Sequence, residues 1–326
     1  MKRLTTAAAS RAAGLAVAAL LASCTVGPDF ERPAPPATKT YAPGGPQPLA
    51  SPGSGEPQQQ LAVGAKVTAE WWDLFRSPQL TSVLKDAIAN NGTLAAAKAT
   101  LAQAREQFAQ SQGTLYPQLD FNANASRQRS SLLSLGVNQL GPIDNLYSIG
   151  PSVSYALDIF GLNRRRTERQ EATAQYEEYQ LDGAYLTLTG NAVKEAITIA
   201  STRAQIATVD RIIGEDQQTL DLVQREFQVR NKTVADVESA RTQLASDRAL
   251  LPPLEQQLSV AQDALAVLTG KAPGDWLPPD FALAQFTLPQ ELPLTVPSAL
   301  VRDRPDILAA EAQLHEASAD IGVATA

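Results

Sequence analysis

Residues 185–227 read YLTLTGNAVKEAITIASTRAQIATVDRIIGEDQQTLDLVQREF, and their spacing decides the fold. Tyr185, Ala192, Ile199, Ile206, Ile213, Leu220 and Phe227 recur every seventh residue, and all are apolar. Leu181, Leu188, Val209 and Val223 supply much of a second seam position. A seven-residue period marks a helix that packs along a narrow stripe against another helix. No Pro falls between Arg164 and Arg230. One helix of about 100 Å is therefore expected there, at a rise of about 1.5 Å per residue.

Beyond it, Asn231-Lys232-Thr233 breaks the pattern. The period resumes at Val237, Leu244, Leu251, Leu258 and Leu265, with Leu254 and Leu268 in the second seam. The two arms should form an antiparallel hairpin spanning 164–270, with its tip near residues 230–233. Pro252-Pro253 should kink or restart the second arm. Gly270 should stop it, and a Pro-rich connection over 271–297 follows. Asp216 and Asp247 each interrupt the seam at nearly equal distances from the tip. Two facing carboxylates suggest acid–base chemistry. Close like charges in a dry seam are destabilising, so both are expected to turn toward water.

Before the long arm, order should begin near Trp71-Trp72 and Phe75, within a helical region over 63–117. Ser77-Pro78 reads as a cap followed by Pro at the first helical position, opening a helix to about Asn90. A second helix is expected over Thr93–Gln112. Between these and the long arm, over 118–163, lie two stretches of strict alternation. In 119–126, Leu119, Phe121, Ala123 and Ala125 alternate with Asp120, Asn122, Asn124 and Ser126. In 148–159, Ile149, Val153, Tyr155, Leu157 and Ile159 alternate with Ser148, Ser152, Ser154 and Asp158. Strands of about ten residues suit a tilted crossing of a bilayer, apolar side to lipid and small polar side to a lumen. A hairpin on a soluble sheet is the other reading. The intervening stretch from Ser130 to Tyr147 is expected to be loop. Arg164, Arg165 and Arg166 follow the second strand, either as a contact to lipid headgroups or as a solvated charge run.

Composition narrows the functional classes. The net charge is −7, so nucleic acid is not expected as a partner. One Cys excludes an internal disulfide framework, and one His excludes zinc sites that need two histidines. No phosphate loop or nucleophile motif is present, and His315 reads as a solvated or satisfied side chain. No enzyme chemistry, metal or dissociable cofactor is expected.

The single Cys sits where it matters. Lys2, Arg3 and Arg11 precede an apolar run over 12–22, too short to span a bilayer but right for a secretory signal. It ends in Leu21-Ala22-Ser23-Cys24, the bacterial lipobox pattern. Residues 1–23 are then removed, and Cys24 carries a diacylglycerol and an N-acyl lipid. Thr25 rather than Asp follows, which favours the outer membrane over retention at the inner one. Residues 24–62 are rich in Pro, Gly, Ser and Gln and read as an extended tether with room for a few turns to dock along the body.

An internal repeat closes the chain over 298–326. At an offset of 213, Leu94 meets Ile307, Ala96 meets Ala309, Ala99 meets Ala312, Leu101 meets Leu314 and Phe108 meets Ile321. Ser298-Ala299-Leu300 echoes the earlier helix, and Ala326 falls where a second strand pair would begin. The sequence is therefore expected to hold the opening of a second copy.

These features together resemble the outer-membrane factor family, the TolC-like efflux ducts, and especially its NodT-type lipoprotein branch. The matching stretches are CTVGPDFERP, WWDLFRSPQL, AIANNGTLAAAKA, SYALDIFGLNRRR, FQVRNKTVADVESARTQLAS and LTVPSALVRDRPDILAAEAQLHEASADIGVATA. The resemblance implies a mainly α fold with a short transmembrane β-hairpin and long antiparallel helical hairpins. It implies a homotrimer with a 12-stranded β-barrel on a periplasmic α-barrel, in the outer membrane of a Gram-negative bacterium. It implies passive export of drugs or other small molecules, joined to a periplasmic adaptor and an inner-membrane pump. Docking would fall on Val229, Arg230, Asn231, Lys232 and Thr233. Lumen-facing residues would be Asp120, Asn122, Asn124, Ser152, Ser154 and Asp158. One departure is Arg230, where the family usually has Gly. Another is the second repeat: three such chains supply six strands, fewer than the eight of the smallest membrane barrels. The alternatives are a truncated fragment without function and a periplasmic adaptor lipoprotein, whose hairpin should be flanked by Gly-rich β-domains.

Overall fold

The computed structural model describes residues 26–35, 37, 59–65, 67–131, 136, 140–295 and 297–326. The signal segment and the lipobox with Cys24 lie outside them. The described chain forms two compact units, one of residues up to Arg32, Ala102–Tyr176 and Ala310–Ala326, the other of Pro33–Leu101 and Glu177–Ala309.

In the second unit, strand β1 (Gln60–Val63) pairs in parallel with β4 (Glu291–Leu294). Both were expected to lie in unstructured connections. Residues 59–63, QQLAV, lack the Gly and Pro that punctuate the rest of that stretch, so they can extend into a ladder. The Gln60 N–H donates to the Gln290 carbonyl at 2.8 Å, and the Gln59 side chain donates to the Pro289 carbonyl at 2.9 Å.

A 3-10 turn at Trp71–Phe75 precedes helix α1 (Pro78–Asn90), where Ser77 Oγ accepts from the Leu80 N–H as expected of a cap. Helix α2 runs Gly92–Gly113. Asn91 serves both ends of this corner: its Oδ1 accepts from the Leu94 N–H, and its amide donates to the Leu268 carbonyl. Trp72, Leu80, Leu84, Ile199, Leu265 and Phe281 form the core.

Helix α3 (Leu162–Gln228) is continuous for 67 residues, as the missing prolines require. After the break come α4 (Val234–Arg248) and α5 (Leu251–Leu268), the restart falling at the Pro pair. Leu220 of α3 buries against Val237 and Leu244 of α4, with Ile213, Val223 and Ala240 around them. The seven-residue seam is therefore the contact of the hairpin from Ile213 to Leu244, except for Phe227 near the tip, which is 41% exposed. Gly270 ends α5 with φ 71°, and a Cβ there would collide with the Asn90 carbonyl.

In the first unit, β2 (Gln118–Ser131) pairs antiparallel with β3 (Leu140–Ser154), Gln118 lying opposite Ser154 and Asn124 opposite Ser148. Residues 140–147, read as loop, belong to β3. At the other end the strand stops at Ser154, short of the expected Ile159. Helix α3 claims that end: Asp158 accepts from the N–H groups of Asn163 at 3.1 Å and Arg164 at 3.0 Å. A carboxylate at a helix N-terminus satisfies donors that have no partner within the helix.

Two further helices complete the chain, α6 (Pro297–Asp303) and α7 (Pro305–Thr325). The repeat pairs α2 with α7 in sequence, yet their buried faces differ. Leu94 and Leu101 are buried in α2, whereas Leu314, the counterpart of Leu101, is 51% exposed and α7 buries Ala309, Ala312 and Ala319. Repeat residues of one type thus meet different surroundings.

Candidate functional site

Two regions hold the residues singled out by sequence. The first is the strand pair. Its register puts Leu119 opposite Val153, Phe121 opposite Pro151, Ala123 opposite Ile149 and Ala125 opposite Tyr147 on one face. The other face carries Asp120 opposite Ser152, Asn122 opposite Gly150 and Ser154 opposite Gln118, with Asn124 in the same alternation. Asn122 donates across the pair to Ser152 Oγ at 3.2 Å. The structure thus brings Asp120, Asn122, Asn124, Ser152 and Ser154 to one face. Asp158 is not with them, since it lies beyond the strand and caps α3.

The second region is the hairpin tip. Val229, Arg230, Asn231, Lys232 and Thr233 are all exposed, with Val229 at 75%. Arg230 has φ 62°, and the Asn231 N–H donates back to the Glu226 carbonyl at 2.9 Å. That is a left-handed helix stop of the kind Gly serves best, and here an Arg carries its steric cost. Thr233 then caps α4: its Oγ1 accepts from the Asp236 N–H, while Asp236 Oδ2 accepts from the Thr233 N–H at 2.7 Å. Those hydrogen bonds from Thr233 hold the Asp236 carboxyl below its ordinary range.

Above the tip, Asp216 and Asp247 do not turn to water. Both are half-buried and face each other between α3 and α4. Asp216 is pushed up, first by its hydrogen bond to Asp247 and then by burial. Asp247 is pulled down by accepting from Asp216 and from Gln243, whose amide lies 2.9 Å away. Like-charge repulsion is relieved only while one of the two carboxyls holds a proton, so this arrangement is favoured at acid pH and opposed once both ionise.

The basic run at the start of α3 separates by role. Arg164 and Arg166 are exposed, whereas the Arg165 side chain is only 5% exposed. It bonds Glu168 at 2.7 Å, Asp29 at 2.9 Å, the Gly27 carbonyl at 3.1 Å and the Val26 carbonyl at 3.2 Å. Its hydrogen bond to Glu168 raises its pKa further above the ordinary guanidinium value. Arg165 is therefore no part of an exposed membrane-edge run. His315, expected to be solvated or satisfied, is satisfied: its Nε2 lies 3.1 Å from Glu168 Oε1, and its ring stacks on Phe30 at 4.4 Å. This cluster escaped the sequence reading because GPDFERP looks like linker. The one usable signal was Phe30, an aromatic among prolines and charges.

Among the described residues no group of three or more His, Cys, Asp or Glu is placed to hold a metal, and no helix is long and apolar enough to cross a membrane.

A strand pair with one polar and one apolar face is followed along the chain by heptad-patterned helices, and this order of elements is the fold to be matched. The outer-membrane channel OprN matches it with a TM-score of 0.77 at 23% identity, over 93% of this chain and 64% of OprN. The model of the outer membrane efflux protein family matches residues 83–271, more than half of the chain, and the chain belongs to that family. The pyoverdine export outer membrane protein OpmQ of Pseudomonas putida is 32% identical over 303 residues, which is 90% of this chain and 61% of OpmQ. The probable outer membrane lipoprotein SilC of Salmonella typhimurium is 26% identical over 309 residues, 94% of this chain and 63% of SilC. The chain thus spans less than two thirds of the length of these relatives. The family is one of outer membrane efflux proteins.

Proposed function

We propose that this chain forms the greater part of one subunit of an outer-membrane efflux duct. Three copies share a β-barrel to which each gives β2 and β3. The α3–α4 arms stand in the periplasm, and Cys24 carries the diacylglycerol and N-acyl lipid that fix the protein to the outer membrane. The duct is passive: it has no catalytic residue and no cofactor, and it exports small molecules delivered by an inner-membrane pump through a periplasmic adaptor. The adaptor docks at Val229 to Thr233, where Arg230, Asn231 and Lys232 offer polar bonds. Arg164 and Arg166 face lipid headgroups.

One observation carries the reading. Leu119, Phe121, Tyr147, Ile149 and Val153 are 73%, 69%, 76%, 76% and 69% exposed on a single face of the strand pair. In water such a face is a large apolar liability. Against hydrocarbon it costs nothing, and the polar opposite face then lines a wet lumen.

Produced in a Gram-negative host with its N-terminal residues intact and completed to the length of relatives such as OpmQ, of which it spans 61%, the protein should fractionate with the outer membrane and give stepwise conductance in planar bilayers. Recovery as a periplasmic soluble protein, or vesicle-associated protein with no conductance, would overturn the duct.

A further inference from the structure

Residues 26–32 lie along α7 in an ordered way that their composition does not announce. Gly27 meets Gly322, where a Cβ on Gly27 would stand 2.5 Å from the Gly322 Cα. Phe30 stacks on His315 at 4.4 Å, and Arg32 Nε lies 2.6 Å from Glu311 Oε1. The spacings agree on both sides. Seven helical residues from His315 to Gly322 rise about 10.5 Å, and three extended residues from Gly27 to Phe30 reach about 10 Å. Four helical residues from Glu311 to His315 rise about 6 Å, against about 7 Å for the two residues from Phe30 to Arg32. Glu311, His315 and Gly322 share one helical face, so the segment is an extended strap laid antiparallel along it.

Arg165 clamps the other side of this strap. Four hydrogen bonds, two of them to the main chain at Val26 and Gly27, come from a guanidinium that is almost fully buried. Gly322 packs on its methylenes, and any Cβ there would stand 2.7 Å from Arg165 Cδ. Both glycines are thus required by close approach, Gly27 also by its φ of 104°. At its start the strap is tied to the end of the strand region: the Val26 N–H donates to the Phe160 carbonyl at 3.2 Å. Around that bond the side chains of Leu157, Ile159 and Phe160 are 75%, 55% and 58% exposed.

We propose that Arg165 is a positioning residue for the lipid anchor, holding the strap so that the acyl chains enter the bilayer beside Phe160. This rests on the lipidation of Cys24 proposed above. Only two peptide units, about 7 Å of chain, separate Cys24 from Val26. The anchor is then fixed by the fold rather than free on a tether, and the apolar side chains at the strand base receive it.

The test uses the lipidated protein in vesicles of phosphatidylethanolamine and phosphatidylglycerol, read by hydrogen exchange and by quenching. Arg165→Met, which keeps an unbranched side chain but no donor, should speed exchange of residues 26–32 at least about tenfold, the scale of losing charged hydrogen bonds. Phe30→Ala, which removes none of the four Arg165 hydrogen bonds, should speed the same residues. Arg165→Lys should recover only part, because an ammonium cannot span all four acceptors. Phe160→Trp should be quenched by brominated lipid. Unchanged exchange over 26–32 in Arg165→Met, or equal acceleration of 162–176 in both variants, overturns the clamp. An unquenched Trp with Cys24 shown by mass to be acylated overturns the positioning alone. Unacylated Cys24 overturns the lipoprotein reading and the anchoring role, while protection of 26–32 still decides whether the strap exists.

Discussion

The β2–β3 pair and the α3–α4 pair are both antiparallel hairpins, and they dispose of apolar side chains in opposite ways. The helical hairpin turns Leu220, Val237 and Leu244 inward to 6%, 8% and 3% exposure. The strand hairpin turns Leu119, Phe121 and Ile149 outward, all beyond two-thirds exposed. A period of seven closes a seam between two partners within the chain. A period of two separates faces and leaves the apolar one for the surroundings to cover. The same chain therefore carries one hairpin that closes its own apolar seam and one that leaves its apolar face uncovered.

The sharpest way to break this contrast is a charge on the outer strand face. Phe121→Arg should cost about 2–4 kcal/mol at mid-depth of a bilayer. Asn122→Arg, one residue along on the other face, should cost less than about 1 kcal/mol, the difference being read by urea unfolding in vesicles. In the helical hairpin, Leu244→Ala should cost about 2 kcal/mol, toward the low end for a core deletion since the seam is narrow. Hydrogen exchange should show that loss in α3 and α4 near the tip and leave β2–β3 unchanged.

Smaller effects refine the tip. Arg230→Gly should stabilise the hairpin by about 1 kcal/mol, because φ 62° costs a side chain that much and Gly nothing. A decrease in stability would mean that the Arg230 side chain contributes more than its backbone costs. The least effect is the pH response of the Asp pair. Asp216 is raised above 3.8, so its stabilisation is complete below 3.8 and is lost as pH rises through the raised value. Asp247 is lowered from 3.8, so its contribution holds above 3.8 and is lost as pH falls through the lowered value. The singly protonated pair is favoured between the two. Asp216→Asn should therefore slow exchange near Leu220 and Leu244 at neutral pH and flatten its rise from mildly acid to neutral pH. An unaltered pH profile would mean that the carboxyls do not share a proton.

The helical hairpin was legible because its signals are local: an unbroken heptad, a polar break, a Pro pair and a stopping Gly. The faces of the strand pair were legible too, since alternation assigns Phe121 and Asn122 to opposite sides whatever the partner. Strand ends were not. Asp158 continues the alternation, yet capping of α3 outweighed one more rung, and that competition is invisible in spacing. Docking of a few turns of the tether was expected, but the residues that hold them were not legible, for a related reason. Gly27 and Phe30 act through Gly322, His315 and Arg165, far away in sequence, and a Pro-rich stretch offers no period by which to find them. Distance from the tip brings Asp216 and Asp247 level with each other, but spacing carries no sign of the hydrogen bond between them that turns both side chains inward.

The central claim is that one face of β2 meets lipid and the other a wet lumen, while the tip of α3–α4 stands in water. Cys placed in turn at Leu119 to Ser126 and at Val229 to Lys232, in outer membranes of cells whose Cys24 remains acylated, would test it with a membrane-impermeant thiol reagent. Reaction should alternate along the strand, strong at 120, 122 and 124 and weak at 119, 121 and 123, and be strong throughout the tip. Uniform labelling along residues 119–126 would contradict it.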